Sequence, residues 1–268
     1  MNRLQKRFAA LAKEGRAGFI PYVMAGDPDL KTTAALLEKL PGAGADVIEL
    51  GFPFTDPMAD GPTIQSAAER SLENGTKLDD VLGLVRDFRK ADADTPVILM
   101  GYANPPYIRG FEKFAADMAE AGADGVILVD LPPEEDEELR AAFDRHDLSL
   151  IRLATPTTDD ARLPRVVEGT KGFVYYVSVA GVTGAGRGER GAIETAVSRL
   201  KEASGLPVAV GFGVKTPETA AEIARSADAV VVGSAIVERL AKDGPEAALD
   251  LTRRLSQAVA SARETEQS

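Results

Sequence analysis

Two hydrophobic spacings alternate along the chain. Short β-branched or apolar runs occupy 19–25 (FIPYVMA), 46–51 (DVIELG), 96–102 (PVILMGY), 124–130 (DGVILVD), 148–154 (LSLIRLA), 172–178 (GFVYYVS), 206–213 (LPVAVGFG) and 228–234 (DAVVVGS). Between them, segments such as LKTTAALLEKL, FEKFAADMAEAG, AIETAVSRLKEAS and TPETAAEIARSA carry apolar residues every three or four positions, the period of a helix with one buried face. Strands alternating with helices require parallel pairing through crossovers. Eight such units predict an α/β fold, a single (β/α)8 or TIM barrel over residues 1–268. A doubly wound open sheet is the alternative, but no break in rhythm and no Gly-, Ser- or Pro-rich linker marks a second domain. Residues 2–14 form an extra amphipathic helix ahead of the first strand, placed to cover the N-terminal end of the barrel. The recurring AGAD, AGADG and SADA before strands 2, 4 and 8 read as helix ends whose small residues turn the chain into a strand.

Composition narrows the chemistry. The 268 residues lack cysteine, and His146 is the single histidine, so thiolate nucleophiles, disulfides and clustered imidazole or thiolate metal sites are excluded and no metal site is expected. Net charge is −11, with 42 acids against 31 bases spread along helices, which argues against nucleic acid as a partner. No apolar run reaches the roughly 18 residues a membrane helix needs, and the first residues lack a secretory core, so a soluble cytoplasmic protein is expected.

Barrel enzymes carry their chemistry at the C-terminal ends of the strands. Glu49 sits at such an end, and strand alternation turns it inward with Val47 while Ile48 and Leu50 face the helices. A carboxylate among apolar walls loses hydration, so its pKa rises toward the range of a proton donor and acceptor near neutrality. Asp60 lies eleven residues on, in the loop 51–62, within reach of the same mouth. Two carboxylates in different surroundings divide labour, one trading protons and one holding an N–H or a cation. The structural alternatives are a buried ion pair for Glu49 and a helix cap near Thr63 for Asp60. Gly-rich turns follow the last three strands: AGVTGAGRG (180–188), GFGVKTPET (211–219) and VGSAIVERL (232–240). Barrel phosphate sites use the turns after strands 7 and 8 with a helix N-terminus, which the last two turns match. With five glycines among residues 181–191, the segment 179–191 reads as a mobile lid, a surface loop without a role being the alternative.

Taken together, PYVMAGDPD, IELGFPFTDPMADGPTIQSA, MGYANPPYIRGFEKF, ADGVILVDLPPEE, ATPTTDDARL, YYVSVAGVTGA, PVAVGFGVKTPE and VVVGSAIV resemble the tryptophan synthase α-subunit family in order and spacing, over nearly the whole chain. The resemblance implies retro-aldol cleavage of indole-3-glycerol phosphate to indole and glyceraldehyde 3-phosphate. It implies that Glu49 is the acid/base and that Asp60 is the carboxylate on the indole N–H, with Tyr175, inward with Phe173 and Val177, as a supporting hydroxyl. By the same carry-over Gly184, Gly213, Gly233 and Ser234 contact phosphate, and Thr183 closes onto Asp60. Tyr22, Met100, Ile127, Val129, Leu153, Phe212 and Val232 line the indole pocket, with core packing as the alternative for each. No cofactor belongs to this chain. The partner implied is a β subunit carrying pyridoxal phosphate, in an αββα heterotetramer that passes indole through a tunnel, with Asp56, Pro57, Asn104, Pro105 and Pro132 on the facing loops. Tyr22 and Met24 stand where Phe and Thr are commoner, and Pro106 where an aliphatic residue is usual; these bear on pocket shape and partner fit. Arg152, inside an otherwise apolar strand, has no account beyond an acid on a flanking helix. Within the barrel class a lyase or isomerase for another phosphosugar is the rival; outside it, a barrel that only docks on and regulates a β subunit.

Overall fold

The computed structural model describes residues 1–178, 187–211 and 213–263. Its strands are β1 (Gly18–Met24), β2 (Ile48–Gly51), β3 (Val97–Gly101), β4 (Gly125–Leu128), β5 (Ser149–Leu150), β6 (Leu153–Ala154), β7 (Val174–Val177), β8 (Val208–Gly211) and β9 (Ala229–Val232). The helices are α1 (Arg3–Glu14), α2 (Leu30–Lys39), α3 (Pro62–Glu73), α4 (Leu78–Phe88), α5 (Asn104–Arg109) and α6 (Phe111–Ala121). They continue with α7 (Glu137–Arg145), α8 (Leu163–Val167), α9 (Arg187–Ser204), α10 (Pro217–Ala224), α11 (Ser234–Asp243) and α12 (Pro245–Ser261). Every ladder is parallel, in the order β5-β4-β3-β2-β1-β9-β8-β7-β6. The two edges of that order are halves of one passage. Ile151 donates its N–H to Val126 at 3.0 Å and the Arg152 carbonyl accepts from Tyr175 at 3.0 Å, so the sheet comes full circle as a (β/α)8 barrel.

The fifth expected strand, 148–154, is therefore broken in its middle, and the break explains Arg152. Its guanidinium points outward, where it pairs with Asp136, the residue capping α7, and donates to the carbonyls of Arg165 (3.2 Å), Val166 (3.2 Å) and Glu168 (2.6 Å) at the end of α8. One buried cation thus ties a strand to two helix ends.

Side-chain alternation sorts the strands into two layers. Phe19, Val23, Ile48, Leu50, Leu99, Val126, Val174, Val210 and Val230 face the helices. Ile20, Val47, Ile98, Ile127, Ile151, Phe173, Tyr175, Ala209 and Val231 fill the barrel. The bottom of that interior is closed by α1, whose Leu4, Phe8 and Leu11 are buried in the same cluster; Phe8 and Phe173 rings lie 5.4 Å apart. A capping box starts α1: Asn2 accepts from the Gln5 N–H at 3.0 Å and Gln5 accepts from the Asn2 N–H at 3.1 Å. The expected helix over 2–14 thus holds, with Asn2 as its cap.

The three recurring helix ends do more than turn. Asp46, Asp124 and Asp228 each form a two-point clamp on a neighbouring strand, with the backbone N–H donating to a carbonyl and the carboxylate accepting that same residue's N–H. The clamped residues are Phe19 (2.9 and 2.9 Å), Val97 (2.8 and 2.8 Å) and Val208 (2.9 and 2.8 Å). Each carboxylate also meets a cation: Arg16, Arg89 with Arg3, and Lys201. These clamps set the N-terminal ends of β1, β3 and β8 and so fix the register that delivers side chains to the other end. Residues 187–191, expected in the lid, begin α9 instead; 179–186 lie outside the described residues. Among the described residues no helix is long and apolar enough to cross a membrane.

Candidate active site

The C-terminal strand ends converge on Glu49. It is 1% exposed, opposite Tyr22 in the β1–β2 register, and points inward as the alternation requires. Burial, with Asp60 adding repulsion, pushes its carboxyl up to about 8. A nearby cation would oppose that shift; among the described residues none does, and Oε2 has no hydrogen-bond partner there. The alternative of a buried ion pair finds no partner among the described residues.

Asp60 arrives from the loop between β2 and α3. Phe52 and Pro53 are buried, and Phe54 stacks on Tyr102 with ring centroids 5.3 Å apart. The Tyr102 hydroxyl accepts from the Ala59 N–H at 2.9 Å and hydrogen-bonds the Asp60 carboxylate. The Gln65 amide donates to the Asp60 carbonyl at 2.7 Å. Burial raises the Asp60 pKa and the Tyr102 hydroxyl works against that rise, because a hydrogen bond to the anion favours it. Asp60 caps nothing: α3 starts at Pro62 behind Gly61 with no side-chain cap. Tyr102 was not singled out from the sequence, although it is the last residue of the run 96–102, the kind of position from which barrel chemistry is drawn.

Two more phenols frame the carboxylates. Tyr175 lies inward on β7, and a Cβ at Gly211 would come within 2.4 Å of its hydroxyl, so the bare Gly211 makes room for it. Tyr22 stands likewise over Gly51, where a Cβ would come within 2.1 Å of its hydroxyl. Both phenols are pushed well above their usual pKa, first by burial. Glu49 adds to the shift of Tyr175, and Asp60 and Glu49 both add to that of Tyr22. Tyr22 therefore senses both carboxylates from one position. Met100, Ile127, Val129 and Leu153 border the same interior. Val232 does not: it packs in the outer layer with Val230, and the inward residue of β9 is Val231, because alternation from Ala229 puts odd-numbered positions inside. Phe212, Thr183 and Gly184 lie outside the described residues.

Across the mouth, Gly213 has φ +75° and open space where a Cβ would be. The next turn opens α11. Gly233 precedes it with no side-chain cap, and the Ile236 and Val237 N–H groups return to the Gly233 carbonyl at 2.9 and 3.1 Å. The N–H groups of Ser234 and Ala235, at the positive end of the helix, precede the first intrahelical bond and suit an anion. Gly213 follows β8, and Gly233 and Ser234 follow its neighbour β9. Of the residues expected to face a partner, Asp56, Asn104 and Pro132 are exposed, while Pro57 and Pro105 are half-buried. The same loops expose Met58 (76%), Tyr107 (68%) and Ile108 (78%), which sequence reasoning passed over. Only the fold reveals that these apolar side chains lie outside.

Comparison with known proteins agrees across the chain. The model of the family described as "Tryptophan synthase alpha chain" matches residues 8–267. A tryptophan synthase alpha chain from Phenylobacterium zucineum is 62% identical over 240 residues, covering 90% of this chain and 87% of that one. One from Caulobacter sp. (strain K31) is 58% identical over 258 residues, covering 96% and 92%. Among solved structures, tryptophan synthase subunit alpha from Legionella pneumophila str. Paris superposes with a TM-score of 0.90 at 43% identity, covering 97% of this chain and 98% of that chain.

Proposed function

We propose, for a chain that belongs to the tryptophan synthase alpha chain family, that Glu49 and Asp60 divide the proton and charge work of its reaction. The reaction is a carbon–carbon lysis: indole-3-glycerol phosphate gives indole and glyceraldehyde 3-phosphate. Glu49, protonated up to about pH 8, donates to the indole ring carbon that bears the glycerol chain. Positive charge then develops at the ring nitrogen, where the Asp60 carboxylate accepts the N–H and stabilises it. Now ionised, Glu49 takes the proton of the adjacent glycerol hydroxyl. The carbon–carbon bond breaks, its electron pair restores the aromatic ring, and the oxygen becomes the aldehyde. One proton goes in and one comes out, so the enzyme ends as it began. Tyr175, beside Glu49, supports the glycerol chain. Gly213, Gly233 and Ser234 hold the phosphate through backbone N–H groups, together with Gly184; Thr183 is the lid contact to Asp60, and Phe212 a wall of the indole pocket.

The observation that carries this reading is Glu49 itself: a buried carboxyl, poised near neutrality, with no cation among the described residues to neutralise it. A barrel that only docks on a partner has no use for it, and one handling another phosphosugar has no need of Asp60 opposite a ring nitrogen. The family implies a β-subunit partner. An αββα assembly, pyridoxal phosphate in that partner and the loops of Asp56, Pro57, Asn104, Pro105 and Pro132 as the contact surface are our extension, supported by the exposed apolar residues beside them. Indole is apolar enough to escape through membranes, which favours handing it on directly. The test is release of indole from indole-3-glycerol phosphate by the purified chain, with and without a β subunit. Glu49→Gln is expected to lower turnover by about 10² to 10⁴; near-normal turnover removes Glu49 from the mechanism.

A further inference from the structure

The cavity behind Asp60 is walled by Tyr22, Met24, Phe52, Phe54, Met100, Tyr102 and their neighbours. Only three side chains of that wall carry oxygen. Two of them, Asp60 and Tyr102, stand beside each other, and the Tyr102 hydroxyl already accepts from the Ala59 N–H. The third, the Tyr22 hydroxyl, is buried, and its one partner among the described residues is the Met24 thioether at 3.9 Å. Sulfur is a weak acceptor, and no described residue donates to the phenol oxygen. Met24 is unbranched and adaptable, so that contact yields readily to a better one. A buried hydroxyl so weakly satisfied in a ligand cavity is a hydrogen-bonding group held in reserve.

From this geometry we propose that Tyr22 is a specificity-determining residue, giving the heteroaromatic pocket a polar handle for substrates with a hydroxyl on the six-membered ring. The inference rests on the orientation proposed above. With the ring nitrogen at Asp60 and the reacting carbon at Glu49, the six-membered ring points toward Tyr22, Met24 and Met100, whose cavity of about 10 Å³ must widen to admit it. A hydroxyl there replaces the thioether as partner of Tyr22, donating to the phenol oxygen or accepting from it. A pocket that can hydrogen-bond a substituent separates substrates more sharply than an apolar one of the same shape.

The test measures kcat/KM for indole-3-glycerol phosphate and for its analogues hydroxylated at each carbon of the six-membered ring, in wild type, Tyr22→Phe and Met24→Leu. For at least one analogue the ratio to the parent compound is expected to fall by about tenfold in Tyr22→Phe, the size of one neutral hydrogen bond, whatever happens to the parent rate. Met24→Leu, which removes the competing acceptor and keeps the bulk, is expected to hold or raise that ratio. The proposal is overturned if Tyr22→Phe leaves every ratio within twofold of wild type, or if Met24→Leu lowers the ratios as much as Tyr22→Phe does, since packing and not the hydroxyl then sets them. Turnover of the parent compound by wild type keeps such a failure separate from failure of the assigned reaction.

Discussion

At the scale of single residues, pH reports on the site. An acid whose folded pKa is raised binds a proton more tightly in the native state, so it stabilises the fold below its unfolded value and loses that contribution as pH rises toward the folded one. For Glu49 the window runs from 4.5 to about 8. The ligand-free chain is therefore expected to lose stability across this interval in urea titrations, and Glu49→Gln to flatten the slope. An unchanged slope in that variant would assign the pH dependence elsewhere. Tyr102 tests the other carboxylate. Its hydroxyl opposes the burial that raises Asp60, so Tyr102→Phe is expected to move the acidic limb of the pH–rate profile upward, since Asp60 must be ionised to hold the ring N–H. A variant with lowered turnover and an unmoved limb would limit Tyr102 to supporting the loop through Ala59 and Phe54.

Elements are held in register by buried carboxylates at the end of the barrel opposite the chemistry. Asp124 takes the Val97 N–H together with Arg89 and Arg3. Asp124→Ala leaves Arg89 buried without its partner and frees the start of β3. A loss of about 2–4 kcal/mol is expected, read from chemical denaturation at fixed pH. A loss below about 0.5 kcal/mol would mean that the surrounding backbone bonds suffice to set the strand. These clamps were half legible. The recurring AGAD and SADA showed small residues before a strand, but the aspartate's role needed the partner strand, which is distant in sequence. Arg152 was opaque for the same reason: its four acceptors come from the start of α7 and the end of α8.

For the whole molecule, the face that receives substrate is also the one exposing Met58, Tyr107 and Ile108. Large apolar side chains left exposed near one another mark a surface meant to be covered. Ile108→Asp is expected to weaken association with a β subunit by tenfold or more, measured by titration calorimetry, because a charge would be desolvated on docking. Unaltered affinity would move the contact surface off α5.

By itself, the sequence determined the barrel and the positions of its acids. Hydrophobic period and strand alternation are local properties, and they put Glu49 inside and Asp60 on the loop above it. Val232, placed in the pocket by the resemblance alone, packs in the outer layer, the core-packing alternative, because alternation from Ala229 puts odd-numbered positions inside. Tertiary structure alone decided what surrounds each group: that no described residue neutralises Glu49, that Tyr102 stands beside Asp60, and that the Tyr22 hydroxyl meets the Met24 sulfur. Burial and electrostatic pairing depend on segments tens of residues apart, and those distances exist only after the sheet has closed.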